Sequence, residues 1–489
     1  MDRDGLLKIL VLMSMLLLLS CDNSSSSSSR GGPPAGTPII LSADPAINDS
    51  SAAVGNITVT FDKAMNAGSA ASFVVYGSQS GKLSGTYLEG GSPQTLAFDP
   101  DQDFKPGEQI EVILTGSLTA TDGRSFWPFV YRFRAESQSQ PAPGTFIAQP
   151  ALTSLAGAFA LASGDWDGNG DLDLAVAIPG ANKVVILNND GAGNFTVGQT
   201  IEGQAGARAL VGGDWDGDGD LDLAVANSNS STLNILVNDG TGSLTVGFTF
   251  SGLFDPYGLA AGDWNGDGYL DLAVANFWGG DWLSILQNNG SGIFVAIKLI
   301  WDQTGPSTLI AGDWDNDGNL DLAAANWIGD WVDVLKNFGG GDFEVTQEIS
   351  DRLATTGLAA GDWNGDGDMD LAFSNAYNHT ADVVTNNGTG IFTVTQTFPG
   401  QTNSNAVISG DWDGDRDLDL AVANPGASNV VILDNDGTGS FSISIASTIT
   451  GQSGASGLAA GDWDGDGDLD LAVANTGASG VVVLLNQSP

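Results

Sequence analysis

The stretch GDWDGDGDLDLAVAN runs from Gly213 to Asn227 and recurs letter for letter from Gly461 to Asn475. Variants of it open with an Asp-Trp pair at Asp165, Asp214, Asp263, Asp313, Asp362, Asp411 and Asp462, so successive copies stand 49, 49, 50, 49, 49 and 51 residues apart. Seven copies at a near-constant period mark a repeat architecture in which each unit leans on its neighbours. Each unit reads alike. A short apolar run such as Gly258-Leu259-Ala260-Ala261 leads into the acidic loop and Leu-Asp-Leu-Ala-Val-Ala-Asn, and a β-branched run such as Val430-Val431-Ile432-Leu433 follows. Then come an Asn-Asp-Gly-Thr-Gly turn (238 to 242, 435 to 439) and an alternating strand such as Phe441-Ser442-Ile443-Ser444-Ile445. Period two without period 3.6 predicts four short strands per copy. One four-stranded sheet per repeat, seven times over, predicts an all-β fold, a seven-bladed β-propeller without exposed sheet edges. Copy seven runs out after Val481-Val482-Val483-Leu484-Leu485-Asn486, whereas Gly144-Thr145-Phe146-Ile147-Ala148, ahead of the first loop, matches the missing fourth strand. The N-terminal end of the array is therefore expected to complete blade seven.

The acidic loop carries chemistry. In copy two, oxygen donors stand at positions 1, 3, 5, 7 and 9 (Asp214, Asp216, Asp218, Asp220, Asp222), with Gly219 at position 6 for a sharp turn. Hard cations of six to eight oxygen ligands require this spacing, and in helix-flanked loops of the kind position 7 gives its backbone carbonyl. The other copies supply Asp165, Asp167, Asn169, Asp171 and Asp173; Asp263, Asn265, Asp267, Tyr269 and Asp271; and Asp313, Asp315, Asp317, Asn319 and Asp321. Copies five to seven supply Asp362, Asn364, Asp366, Asp368 and Asp370; Asp411, Asp413, Asp415, Asp417 and Asp419; and Asp462, Asp464, Asp466, Asp468 and Asp470. Tyr269 at position 7 points to a backbone role there. No His or Cys lies in any loop, so the expected ion is Ca²⁺, up to seven of them, one per blade. Mere tight turns do not need three or four carboxylates within nine residues, which repel by up to about 4 kcal/mol per neighbouring pair at intermediate dielectric. Copy six has Arg416 in place of the position-6 glycine, which predicts the weakest site.

On these residues, Asp165 to the C-terminus resembles the FG-GAP or VCBS repeat family, the calcium-loop propellers of integrin α-chain heads and many bacterial surface proteins. The resemblance implies a seven-bladed propeller over residues 144–489. Ahead of it, 36–135 holds β-like runs (Ile57 to Phe61, Ile110 to Leu114, Tyr131 to Phe133) broken by turns such as Lys105-Pro106-Gly107, which predict a small antiparallel sandwich. Its VTFDKAM, FKPGEQIEVIL and YRFRA stretches resemble the bacterial Ig-like domain of the S-layer-associated type, expected to serve as a spacer. A Pro/Gln linker, 136–143, joins the two.

The N-terminus reads as an export signal. A short apolar run, Ile9 to Leu19, follows Arg3 and Lys8 and is too short to span a bilayer, and Leu18-Leu19-Ser20-Cys21 resembles a bacterial lipobox. That implies a signal peptide, 1–20, with Cys21 lipidated to give an anchored, exported lipoprotein held to the membrane by its lipid alone. A Ser-rich tether, 21–35, follows, and the single cysteine rules out internal disulfides. Fifteen Lys+Arg against 59 Asp+Glu give a net charge of −44, which excludes nucleic acid as a partner; seven divalent ions would still leave −30.

Recognition is expected on the face opposite the ion loops, where the repeats disagree. Of thirteen tryptophans, seven lie in the loops and Trp127 in the sandwich; Trp278, Trp282, Trp301, Trp327 and Trp331 all fall in connections on the other side, with Phe254, Tyr257, Phe277, Tyr377 and His379 in the same or adjoining connections. The first reading takes Trp278, Trp282, Trp301, Trp327, Trp331 and Tyr377 as a crescent for a sugar or peptide. Trp282 and Trp331 also fit early third-strand positions packing between blades. With one His and no spare nucleophile, the catalytic inventory is thin, so a surface binding or adhesion module recognising protein or glycan is expected and no enzyme. A polysaccharide lyase or hydrolase and a purely structural envelope protein are the alternatives.

Overall fold

The computed structural model describes residues 36–489 except 50–51, 53–54, 90–91, 137–144, 280, 444–447, 478–479 and 488–489. The signal peptide, Cys21, the tether and nearly all of the linker lie outside the described residues. Among these residues no helix is long and apolar enough to cross a membrane.

Seven antiparallel four-stranded sheets follow one another along the array. Blade two is representative, with strands Ala207–Gly213, Asp222–Asn227, Thr232–Asn238 and Leu244–Ser251. Gly213 pairs with Asp222, so the nine-residue loop joins first to second strand. The second strand is buried along its whole length in all seven blades. Leu-Ala-Val-Ala, apolar on both faces, is what a strand pressed between two neighbouring sheets requires. In blade six the fourth strand is split into Phe441–Ser442 and Thr448–Thr450, both paired to Asn429–Asn435. The fourth strand of the seventh sheet is Phe146–Ala148, with Leu484 opposite Ala148 and Asn486 opposite Phe146, as the sequence leads one to expect.

Blade is fastened to blade by three repeated contacts. First, the loop tryptophan lies against the glycine that precedes its aspartate. A Cβ on Gly164 would stand 3.0 Å from the Trp166 ring and 2.3 Å from Leu221 of the next blade, which is why Gly-Asp-Trp recurs as a unit. Second, that tryptophan meets edge-on the aromatic opening the next blade's fourth strand: Trp215 with Phe294, Trp264 with Phe343, Trp314 with Phe392, Trp363 with Phe441, and Trp463 with Phe195 of blade one. Third, the asparagine ending each third strand donates from Nδ2 to the preceding blade's tryptophan carbonyl, as in Asn238 to Trp166 at 2.7 Å and Asn435 to Trp363 at 3.0 Å. Asn189 makes the same bond to Trp463, 2.8 Å, between blades one and seven.

The sandwich comprises two sheets, one built on Ile57–Phe61 and Thr95–Pro100, the other on Phe73–Gly77, Gln109–Leu114 and Phe129–Arg134. It is not held off as a spacer. The second sheet is covered on both faces: Val75, Val112, Tyr131 and Phe133 fill the sandwich core, whereas Tyr76, Ile113 and Val130 join a core with blades two, three and four. Four of its polar contacts fall on the acidic loops. Tyr76 Oη donates to Gly268 O at 3.3 Å, Val130 N to Gly318 O at 2.9 Å, Asn48 Nδ2 to Gly367 O at 3.2 Å and Lys105 Nζ to Gly170 O at 2.9 Å. Each acceptor is a position-6 carbonyl. At the centre Glu111 receives Arg132 Nε and Nη2 at 2.8 and 2.5 Å and the Asp263 amide at 3.1 Å; Arg132 also donates to Ala311 O and Ala261 O, both at 3.0 Å.

Candidate functional site

In each loop the position-1 carboxylate organises the turn. Asp214 Oδ1 accepts from Gly217 N at 2.7 Å and Oδ2 from Gly219 N at 3.1 Å, so both glycines are folded around it. The position-9 carboxylate is sealed beneath: Asp222 accepts from Trp215 N at 3.0 Å and Asn238 N at 2.8 Å and has no exposed surface. Position 7 turns its side chain elsewhere. A Cβ on Gly240 would stand 2.4 Å from Asp220 Oδ2 and one on Gly290 2.4 Å from the Tyr269 ring, so this side chain covers the turn before the fourth strand. The position-7 side chain is thus occupied outside the loop.

Among the described residues, carboxylate oxygens within 4.8 Å of one another form five clusters that could hold an ion: Asp165, Asp167 and Asp173; Asp214, Asp216 and Asp218; Asp313, Asp315 and Asp321; Asp411, Asp413 and Asp419; Asp462, Asp464 and Asp466. Blades three and five have an asparagine, Asn265 and Asn364, in place of the position-3 carboxylate that takes part in each of the five clusters. Burial, opposed by the backbone hydrogen bonds and reinforced by neighbouring carboxylates, pushes Asp222 and Asp370 up to about 7 and Asp271 and Asp321 to about 9. Asp165, Asp315 and Asp464 each keep a buried Oδ1 without a hydrogen-bond partner. Like charges crowded out of water with orphaned oxygens are the electrostatic complement of a hard cation, so these residues fit one.

Two loops carry cations of their own. Arg416 adopts φ +78°, the left-handed value expected for the glycine it replaces, and its amide still donates to Asp411 Oδ2 at 3.2 Å. Its guanidinium is drawn away to Glu136, 2.5 Å. Lys336 does the opposite: from the end of the third strand of blade four its Nζ sits on both Asp315 and Asp317, the latter at 2.8 Å. Blades one and three place neutral amides there, Asn188 on Asp167 and Gln287 on Asp267. The sequence reading singled out Arg416 and passed over Lys336, whose register with Asn188 and Gln287 was the available signal.

On the opposite face a cavity of about 860 Å³ opens at the axis. One residue from the start of each first strand lines it: Phe159, Arg208, Tyr257, Ser307, Thr356, Asn405 and Ser456. These stand at one register, two residues before the position occupied by Leu161, Leu210, Leu259, Leu309, Leu358, Val407 and Leu458, and no two neighbours agree. Sequence reasoning placed Tyr257 in this region but missed Phe159 and Arg208. An aromatic rim runs on from them: Tyr257 stacks on Phe277 at 4.8 Å, Phe277 neighbours Trp278 and Trp327 at 5.7 and 5.8 Å, and Trp327 neighbours Tyr377 at 5.6 Å. Trp278 and Tyr377 are 65% and 61% exposed.

The crescent read from sequence thus divides. Trp278, Trp327 and Tyr377 line the mouth; Trp282, Trp301 and Trp331 do not. Trp282 is buried between Phe254 and Trp301 and donates to Ser284 Oγ, while Trp331 donates to Asp333 Oδ2 at 2.9 Å. Both open third strands, where the side chain serves the blade. His379 lies in a loop and accepts from Asn403 N. On the ion-loop side a smaller cavity of about 400 Å³ ends against Tyr76, Glu111, Arg132 and Arg134 of the sandwich. Leu210, Leu358 and Val407 line both cavities, so one lumen narrows at an apolar waist and the sandwich stands across its far end.

Seven four-stranded sheets bearing acidic first loops define a propeller of repeated Asp-rich blades. The model of the FG-GAP-like repeat matches residues 165–225, 214–274, 263–324, 362–422 and 411–473, more than half of the chain. The chain belongs to this family, and residues 35–135 match a bacterial Ig-like domain. No curated protein matches the chain. Among solved structures it is similar to BBS1N in its complex with ARL6DN, in lead- and mercury-soaked crystals. The identities are 16% and 15% and the TM-scores 0.52 and 0.51, each over 71% of this chain and 98% of the other. A functionally unknown protein from Desulfotomaculum acetoxidans is 11% identical over 64% of this chain and 94% of its own, with TM-score 0.49. At such identities the likeness to BBS1N is one of fold.

Proposed function

We propose that this protein is an extracellular, surface-anchored binding module that captures a ligand at the axial mouth opposite its ion loops, with Ca²⁺ in the loops serving the scaffold. The observation that carries this reading is the asymmetry of the lumen: the sandwich stands across one end, and the other opens through an exposed aromatic rim. Concave sites with a few convergent polar groups among aromatics are where ligands bind, and the rim residues are the ones in which the blades differ. Lipidation of Cys21 would hold the molecule at the membrane while the tether lets the propeller reach outward. The first test is capture of oligosaccharides and envelope proteins by the chain expressed without residues 1–21. Trp278→Ala combined with Trp327→Ala should abolish capture while leaving the melting temperature within about 2 °C, because Trp278 is exposed and neither belongs to a blade core. Capture that survives both substitutions would refute the site.

A further inference from the structure

We propose that the ligand of this mouth is an acidic saccharide whose carboxylate is read by Arg208; the inference rests on the binding reading above and deepens it. Among the described residues lining the mouth, Arg208 is the only base and Asp255 the only acid, in a chain of net charge −44. A lone guanidinium in so acidic a molecule would ordinarily be claimed by a carboxylate. Arg208 is only partly so: its charge stabilises the Asp255 carboxylate at the same mouth, but no acid among the described residues lies within ion-pair distance of it, and its Nε is buried without a hydrogen-bond partner. It sits instead in the corner formed by two rings set edge to face, 4.8 Å from the centroid of Phe159 and 5.2 Å from that of Tyr257. Two such cation–π contacts hold the guanidinium without using its N–H groups, which remain available to a carboxylate.

The surroundings select a sugar. Tyr257 continues through Phe277 to Trp327 and Tyr377 as ring faces on which pyranose C–H surfaces stack. Exposed Asn229 and Asn403 add amide groups at the rim, suited to hydroxyls. An acidic peptide would meet Arg208 equally well but would leave these amides and ring faces with little to recognise. A uronate-bearing chain satisfies the cation, the rings and the amides together.

The test is calorimetric titration of the chain lacking residues 1–21, with calcium present. The probes are oligomers of galacturonate, alginate, hyaluronate and chondroitin, the methyl ester of the galacturonate oligomer, neutral cello-oligomers and tetraglutamate. At least one acidic oligosaccharide should bind, weakened by salt, and esterification or Arg208→Gln should each cost about 10- to 100-fold, the worth of a charge-assisted hydrogen-bonded pair. Arg208→Lys, which keeps the charge but not the fork, should recover only part. Equal affinity for ester and acid, binding unchanged in Arg208→Gln, or preference for tetraglutamate overturns the inference. In the first two cases, sensitivity to the Trp278/Trp327 pair would leave the binding reading standing. No preference for any acidic sugar, with neutral ligands still captured, likewise removes Arg208's role alone.

Discussion

Replacing Glu111 by Ala tests whether the sandwich is fastened to the propeller by the contacts described. Glu111 is buried, takes two hydrogen bonds from Arg132, itself 9% exposed, and accepts the amide of Asp263. Removing one partner of a buried pair costs about 3–5 kcal/mol, because the other charge is left uncompensated. An orphaned amide adds about 1 kcal/mol, offset in part by the two carbonyls that still hold Arg132. A net loss of about 3–4 kcal/mol lowers the docking equilibrium by two to three decades. Native-state hydrogen exchange at the amides of Asp263 and Val130, which report the centre and edge of the interface, should lose protection by that factor. The melt should divide into two transitions. Glu111→Gln, which keeps an acceptor for Asp263, should fall between; Glu111→Leu with Arg132→Met should recover most of the loss, since apolar replacement of both partners is often near neutral. Unchanged protection and a single melt in Glu111→Ala would show that apolar burial by Tyr76, Ile113 and Val130 alone fastens the domains.

Asn435→Ala removes two buried donor bonds, to Trp363 O and Leu418 O, and should destabilise the propeller by about 2–4 kcal/mol, read from chemical denaturation. Lys336→Gln should raise the number of tightly bound calcium ions per chain by one, counted by equilibrium dialysis, because a fixed ammonium on Asp315 and Asp317 opposes a divalent ion; an unchanged count would show that Lys336 and the ion share the loop. In calcium-free protein, burial raises Asp222, Asp271 and Asp470 to about 7, 9 and 8, above their unfolded values, so the folded state binds the extra protons. Its melting temperature should therefore rise as pH falls from 9 towards 5, whereas calcium-saturated protein, whose carboxylates stay ionised, should show no such rise. A calcium-free melt independent of pH would contradict the burial of these groups.

The blade was legible because its signals are local and repeated seven times: the loop, the wholly apolar second strand and the turn glycines each state a backbone requirement. Contacts across blades were less so. Gly164 is demanded by Leu221, 57 residues on, and Asn189 acts on Trp463; such residues are visible in sequence as fixed letters without any sign of their partners. Docking of the sandwich had a signal that went unread. Phe73-Val74-Val75-Tyr76 and Val112-Ile113-Leu114 are apolar on both faces, more than a free-standing sandwich needs, and Arg132 and Arg134 share the outward face of one strand. The mouth was half legible. Tryptophans in variable connections drew the eye, but a side chain at the start of a third strand and one at the axis look alike in sequence, so Trp282 and Trp331 were grouped with Trp278 and Trp327. Arg208 was hidden by its ordinariness: one base among fifteen, given meaning only by the two rings around it.

Blade seven is completed by Phe146–Ala148, and blade one is bonded to Trp463, so the first segment of the array to be synthesised waits for the last. More than 330 residues must be made before residue 146 meets its partner at 486. Blades one to six are each made of consecutive strands and can pair in turn, but the seam between first and seventh blades is set only after the last strand has been made. A polypeptide so arranged stays open-ended until residue 486 has been made, and the contact that joins its two ends is the last to be set.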